Sequence, residues 1–403
     1  SLCKIAVPVT LQSMLQASFS IVDQIMIGQL GETNISAVGL GSNFSLIFSV
    51  VIGAIGAVAG ILIAQFMGAE DKKEAWCSFD VSLICGIMIS ALFLLAAGAF
   101  PLQILGLYTE DMNIINTGAV YFRIVAFSYI PMAVSNILSA WLRCREHATI
   151  PFLASFGAVA VNTGLNYLLI FGNCGFPELG VKGAAIASVM AEAVSIVFYM
   201  VYTRMTVDIK KYALNQFRSF DVKLLRRVLD ISIFTMLQYF ISLSTYFMLF
   251  VAVEHLGQRE LAVANIVRSV YIVLLIPVNS LSTATNTFVS NSIGAGHKDQ
   301  VIPIIRHITW ISLGIMAVFV SVTCLIPSTI LSVYTNDVTL IQASIPSLYV
   351  ISGALLIGAV ANIVFNGVTG TGNTRSAFVM ELATLVFYTL FIYVVGMRLH
   401  MPV

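Results

Sequence analysis

The stretch 18–31 reads SFSIVDQIMIGQLG and places a carboxylate, Asp23, inside an otherwise apolar run. An acid near the middle of a lipid-facing helix costs about 3 kcal/mol on insertion scales, so it needs a physical justification. Gln12, Gln16, Ser20 and Asp23 recur at helical spacing and form one polar stripe. Hydrogen bonds between helices account well for glutamine and serine on such a stripe, but poorly for a carboxylate. Burial away from a cation disfavours the charged form of an acid, so such a group can take up a proton. Glu192 and Arg123 also fall inside apolar segments, as a buried ion pair or a second protonatable site. Arg268 either faces a cavity or reaches the outer surface by snorkelling. Gln12, Gln16, Gln238 and Arg268 are the candidate cavity residues. Asp80 and Glu381 lie near helix ends and read as interfacial.

These residues must be positioned by membrane helices. Of 403 residues, 59% are hydrophobic and only 10% charged, against roughly 25% charge in a soluble protein. Mean hydropathy is +0.95. Apolar runs longer than about 18 residues recur from end to end, which predicts an all-α polytopic membrane protein. The expected helices span 5–27, 36–67, 75–99, 113–142, 151–171, 181–203, 228–253, 260–292, 302–326, 340–368 and 376–397. Fifteen of the 20 Lys and Arg fall on one side of this arrangement. Only Lys182, Arg259 and Arg398 fall on the other, with Arg123 and Arg268 inside helices. That asymmetry puts the N-terminus in the cytoplasm, and the expected location is the cell membrane. Pro8, Pro131 and Pro277 fall inside helices; each removes a backbone hydrogen bond and serves as a hinge or a static kink.

The chain is also duplicated. Leu11-Gln12 matches Leu237-Gln238, Gly31 matches Gly257, and Gly68-Ala69 matches Gly294-Ala295. Pro101 matches Pro327, Tyr108-Thr109 matches Tyr334-Thr335, and Asn136 matches Asn362. Every pair is 226 residues apart. Six helices per repeat keep both halves in one orientation. The expected organisation is an N-lobe over 1–203, a basic cytoplasmic linker over 204–227 and a C-lobe over 228–403. The offset also places a partner for the sixth helix near 407–429, beyond Val403, so twelve helices are expected in all and eleven in this chain.

VDQIMIGQLG, the paired GA loops and LNYLLIFG…LGVKGAAIAS, in this order and spacing, resemble the MATE family of multidrug and toxic-compound extrusion transporters. The resemblance runs over essentially the whole chain. It implies two pseudo-symmetric six-helix lobes around a central cavity, alternating access, and drug efflux driven by entry of H⁺ or Na⁺. It is closer to the DinF-like branch, whose helix 1 carries a carboxylate matched by Asp23 and a proline matched by Pro8. The resemblance assigns Asn162, Asn166 and Ser188 to the same cation site. Asn162 and Asn166 are one turn apart and share a face, so their amide oxygens could join Asp23 around Na⁺, or simply bond to neighbouring helices. Asn166 stands where Asp is common, and Phe19 where Tyr is frequent. Between Asp230 and Glu254 the seventh helix holds no acid, unlike the NorM-like branch, which binds the cation through C-lobe acids.

The partners expected are a small organic substrate and membrane lipid, with no nucleic acid, no cofactor beyond the transported ion, and a monomer. The alternative transporter is a lipid or lipid-linked oligosaccharide flippase, which would need a strongly basic cavity for diphosphate. A membrane-embedded enzyme would need histidines inside the bundle, and His147, His255, His297, His307 and His400 all read as loop or helix-end residues. The loop VTGTGNTRS lacks both a preceding strand and the G-x-x-x-x-G-K pattern, so it is not a phosphate loop.

Overall fold

The structure, a computed structural model, describes residues 2–206, 221–254 and 257–394. Among these residues it contains helices and no strand, as expected where lipid offers backbone groups no hydrogen-bonding partner. The first half comprises α1 (Leu2–Gly28), α2 (Glu32–Gly68), α3 (Lys72–Ala99), α4 (Pro101–Gly106), α5 (Met112–Val125), α6 (Tyr129–Cys144), α7 (Thr149–Phe171) and α8 (Val181–Thr206). The second half comprises α9 (Val222–Glu254), α10 (Gln258–Gly294), α11 (Val301–Leu325), α12 (Pro327–Ser332), α13 (Val338–Gly370) and α14 (Thr374–Phe391). Ten segments of the described chain are long and apolar enough to cross a membrane. All eleven expected helices are present. Most of the basic linker, 207–220, lies outside the described residues, as do the end of the eleventh expected helix, His255 and His400.

The repeat reaches the helix ends. Shifting α2 by 226 gives the bounds of α10, and shifting α4 gives those of α12. Two short helices escape a periodicity reading because six residues are too few to show a face. Proline starts both: Pro101 and Pro327 take the first helical position, where a missing N–H costs nothing. Both following helices are capped by an aspartate. Asp111 accepts from the Asn113 amide at 2.9 Å, and Asp337 from the Thr339 amide at 2.8 Å. The Thr339 hydroxyl and amide hold the exposed Asp337 carboxyl below its usual range.

One break is not repeated. The span expected over 113–142 is split into α5 and α6 by a 3₁₀ turn, Ala126–Ser128. Pro131, third in α6, cannot donate to the carbonyl four residues back, and the 3₁₀ turn sits where that bond would close. The counterpart of Pro131 is Ile357, and there α13 runs unbroken for 33 residues. Tyr129 fixes the start of α6, stacking on Phe48 at 4.3 Å and sharing a 2.9 Å hydrogen bond with Ser45. Pro8 and Pro277 lie inside uninterrupted helices, α1 and α10.

The chain divides into two compact units, Cys3–Ile63 with Lys72–Leu229, and Ala64–Asp71 with Asp230–Val403. The boundary at 229 falls two residues from the expected start of the C-lobe. The end of α2 belongs to the second unit, which the sequence did not foretell. Glycines explain it. A Cβ on Gly68 would lie 2.0 Å from the Asn291 carbonyl oxygen, and one on Gly294 would lie 1.8 Å from that of Gln65. These four residues are two repeat pairs, so α2 and α10 cross here backbone to backbone through a matched contact.

Inside the first unit, α7 packs along α8, while α6 packs on α3 and α8. Gly183 permits the close start of α8, since a Cβ there would meet the Leu169 carbonyl oxygen at 2.6 Å. In the second unit α13 packs on α10 and α11, around Val278, Met316, Leu355 and Ala359. Arg375 of α14 pairs with Asp230 of α9 at 3.1 Å and lies over the Phe234 ring.

Two substitutions test these contacts. Gly294→Val should lower the thermal midpoint of the detergent-solubilised protein markedly, because backbone cannot yield as a flexible side chain does. A midpoint within 1–2 °C of wild type, roughly the size of a few tenths of a kcal/mol, would show that the crossing tolerates a side chain. Gly183→Val should part α7 from α8 and lower the thermal midpoint by several degrees, with a smaller loss for Gly183→Ala. An unchanged midpoint for Gly183→Val would show that the contact is not needed.

Candidate functional site

The first unit contains a partly open cavity of about 490 Å³ whose wall is built from four helical stripes. Val9, Gln12, Ser13 and Gln16 come from α1, and Ser155, Ala158, Val159 and Asn162 from α7. Met132, Ser135, Asn136, Ser139 and Arg143 come from α6, with Ser128 just before it. Ser188, Ala191, Glu192, Ser195 and Tyr199 come from α8. In each case the spacing of three and four residues puts the polar groups on one face. The α1 stripe was legible because it ends in an acid. The α6 and α8 stripes were missed because serine reads equally well as a small packing residue, although the spacing Ser188, Glu192, Ser195, Tyr199 could have revealed the second.

Gln12 ties α1 to α7, donating to the Ser155 hydroxyl at 2.9 Å. Gln16 also lines the cavity, and Ser20 has its side chain outside the described residues. Behind the cavity, the four residues assigned to a cation site meet. Asn166 donates to Asp23 Oδ1 at 2.7 Å and to Asn162 Oδ1 at 2.8 Å. Asn162 in turn donates to Ser188 Oγ at 3.3 Å. The chain thus crosses from α1 through α7 to α8. Asp23 and Asn166 stand outside the lining; Asn162 and Ser188 open onto it. Asn166 is fully buried, and its Oδ1 has no hydrogen-bond partner. An acceptor left over beside a carboxylate is what a proton on that carboxylate, or a hard cation, would satisfy. Interhelical bonds of this kind average about 0.6 kcal/mol in a membrane, so the chain by itself falls well short of offsetting a charged Asp23. Among the described residues no three or more His, Cys, Asp and Glu gather as a metal site.

The expected pairing of Glu192 with Arg123 does not form. Arg123 is exposed in the last turn of α5, on the stripe of Asn116 and Val120, opposite the buried Ile115, Ala119 and Phe122. The basic residue that shares the cavity with Glu192 is Arg143, which by its place at a helix end reads in the sequence only as a cytoplasmic charge. Arg143 donates from Nη1 to Ser139 Oγ at 2.8 Å.

The remaining candidates belong to the second unit. Gln238 is buried, and its Oε1 has no hydrogen-bond partner. Arg268 is half-buried in α10. Glu381, expected at the interface, is the eighth residue of α14 and accepts a hydrogen bond from Ser242 of α9. These two residues occupy the repeat positions of Ser155 and Gln16, so the α9–α14 contact echoes the α1–α7 contact with different chemistry.

Comparison with known proteins gives one consistent answer. The MatE family model matches residues 8–168 and 235–394, which are the two repeats. A probable multidrug resistance protein NorM of Thermotoga maritima is 26% identical over 394 residues, covering 95% of this chain and 82% of its own. A probable multidrug resistance protein YoeA of Bacillus subtilis is 26% identical over 336 residues, covering 82% of this chain and 72% of its own. Among solved structures, a point mutant of MATE aligns with TM-score 0.90 at 17% identity, covering 98% of this chain and 88% of that one. An outward-facing multidrug resistance MATE family transporter aligns with TM-score 0.87 at 18% identity, over 98% and 88%. The family model covers both repeats, the relatives align along most of the chain, and the fold coincides with solved members: the chain belongs to the MatE family, the multidrug and toxic-compound extrusion transporters.

Proposed function

We propose that this chain exports amphipathic organic compounds across the cell membrane in exchange for H⁺ or Na⁺, by alternating access, with Asp23 as the coupling residue and the N-terminus in the cytoplasm. The observation that carries this reading is the bonded series Asp23–Asn166–Asn162–Ser188, which connects a membrane carboxylate to a cavity wall. The relatives named as multidrug resistance proteins support the substrate class. A flippase is not favoured by these relatives, and a diphosphate would find only one arginine, Arg143, in the cavity lining.

The mechanism follows from the bonds. While Asp23 is charged, its bond from Asn166 is charge-assisted and holds the amide in place. A proton or Na⁺ on Asp23 removes that advantage, and Asn166 can rotate so that its unpartnered oxygen meets the cation. The same amide also donates to Asn162, so its rotation releases Asn162 and alters the wall at Ser188. Substrate in the cavity meets a different surface in the two states, which is the differential contact that coupling requires. The carboxylate lies in the N-lobe, and no acid of α9 between Asp230 and Glu254 supplies a second such site, so coupling of the DinF-like kind is the arrangement these residues favour.

In everted vesicles with an imposed pH or Na⁺ gradient, Asp23→Asn should cut gradient-driven efflux of a fluorescent amphipathic cation at least tenfold. Its equilibrium binding in detergent should change only a few-fold. Efflux at the wild-type rate under both gradients would sink the proposal. Asn162→Leu should leave the cation site charged but break the link to the cavity. Binding should then lose its dependence on cation concentration, and a wild-type dependence would remove Asn162 from the pathway.

A further inference from the structure

The cavity of the first unit is polar along the stretch where a seal would be apolar. Its lining runs from Met132 to Arg143 on α6 and from Ser188 to Tyr199 on α8. Each run is about 16 Å along the helix axis, roughly half the thickness of a hydrocarbon core. Asn136, Ser139 and Ser195 lie along these runs, and Ser155 adds a hydroxyl from α7. A row of hydroxyls and amides holds water, which conducts H⁺ and admits Na⁺, whereas an apolar constriction excludes both by dewetting. On the orientation proposed above, the row leads from Ser188, where the bonded series from Asp23 meets the wall, to the cytoplasmic end of α6. Such a passage would let the coupling cation run down its gradient while no substrate moved. Near that end the lining offers Val9, too little for an apolar collar, so the barrier must be a charge.

Two lining residues are charged, and they stand at different depths. Glu192 is one turn from Ser188 on α8, whereas Arg143 is the last lining residue of α6 and the next to last of that helix. Among the described residues no ion pair joins Arg143 to an acid, and a guanidinium keeps its proton at any physiological pH. Arg143 donates from Nη1 to Ser139 Oγ at 2.8 Å, and the buried Tyr199 lies beside both residues. We propose that Arg143, tethered by Ser139, is the electrostatic barrier that closes the cytoplasmic end of this cavity to H⁺ and Na⁺. An arginine at a water-filled constriction excludes protons and cations in this way. Glu192, nearer Ser188, draws the cation in, and Arg143 stops it from passing through. Exit to the cytoplasm then requires Arg143 to leave Ser139, which ties release of the cation to a movement at the end of α6. The barrier rests on the reading of this chain as a cation-coupled exchanger with a cytoplasmic N-terminus. The repeat position of Arg143 is Thr369, which accepts a hydrogen bond from Asn286 at 2.9 Å. The second unit keeps a neutral bond there, and the charge stands in the unit that holds Asp23.

The test is an ion-leak measurement on the purified full chain in liposomes, without substrate. A K⁺ diffusion potential drives H⁺ inward and an entrapped pH dye follows it; a Na⁺ gradient with a Na⁺-sensitive dye gives the second arm. Wild type should leak within twofold of protein-free liposomes. Arg143→Met, neutral and of similar length, should leak at least fivefold faster to one of the two ions. Arg143→Lys, which keeps the charge, should stay within twofold of wild type. Ser139→Ala, which keeps the charge but removes its tether, should fall between. Thermal midpoints in detergent separate a leak from unfolding, and if Arg143→Met does not fold, Ser139→Ala decides in its place. A wild-type seal in the folded neutral variant would overturn the barrier, as would equal leaks in Arg143→Met and Arg143→Lys. A wild type that leaks as fast as Arg143→Met would do the same. Gradient-driven efflux of a fluorescent amphipathic cation is read in the same liposomes. Efflux by wild type with no leak in Arg143→Met removes only the role of Arg143, whereas no gradient-driven efflux by wild type would overturn coupled exchange itself.

Discussion

A carboxylate inside a lipid-solvated bundle is the constraint around which the first half of this protein is arranged. Asp23 cannot be offset by the apolar packing that stabilises the rest of α1, because packing does nothing for a charge. It must have donors, and donors inside a membrane must come from another helix. Asn166 supplies one from α7, and Asn162, one turn earlier, passes the polarity on to Ser188 of α8. That geometry requires α7 and α8 to approach within reach of short side chains. The backbone contact at Gly183 provides it. A site made of four side chains thus depends on a residue with none.

The duplication shows which features belong to the scaffold and which to the site. Helix bounds, proline starts and aspartate caps recur at a spacing of 226, and so does the glycine crossing of α2 and α10. The polar series does not. Asp23, Asn162 and Asn166 correspond to Leu249, Tyr388 and Ile392. The kink that α6 inherits from Pro131 is likewise absent from α13, where Ile357 stands. The second half answers with Ser242 bonded to Glu381, on the helices that correspond to α1 and α7. One scaffold has therefore been given two unlike interiors, and the asymmetry lies in side chains and one turn.

Legibility in the sequence followed the strength of each physical signal. Long apolar runs, an unbalanced distribution of Lys and Arg, and a constant offset are statements about many residues, so the helices and the repeat could be read directly. Asp23 stood out because an acid among apolar residues has few ordinary explanations. Arg143 did not, because an arginine at a helix end is what the membrane surface normally demands; only the tertiary fold shows it turned back to Ser139 and the cavity. Arg123 misled for the opposite reason. Its place inside an apolar run suggested burial, but one-dimensional position does not say which face of α5 it occupies. Six-residue helices after Pro101 and Pro327 lie below the length at which periodicity can be seen.

On the proposed mechanism, the economy of the cation site lies in its shortage of donors. A ligand shifts a conformational equilibrium only by the difference in its affinity for the two states, and a cation held equally well in both would shift nothing. If Asp23 were enclosed by several fixed donors, the charged form would be satisfied without a cation, and binding one would gain little. With one amide among the described residues donating to it, and that amide shared with Asn162, the charged state is marginal. Adding a proton or Na⁺ changes the preferred orientation of Asn166, whose unpartnered oxygen is the group best placed to receive it. Because the amide is shared, it cannot serve the cation without altering its bond to Asn162. The incomplete solvation of Asp23 and the coupling of two sites on different helices are then the same physical fact.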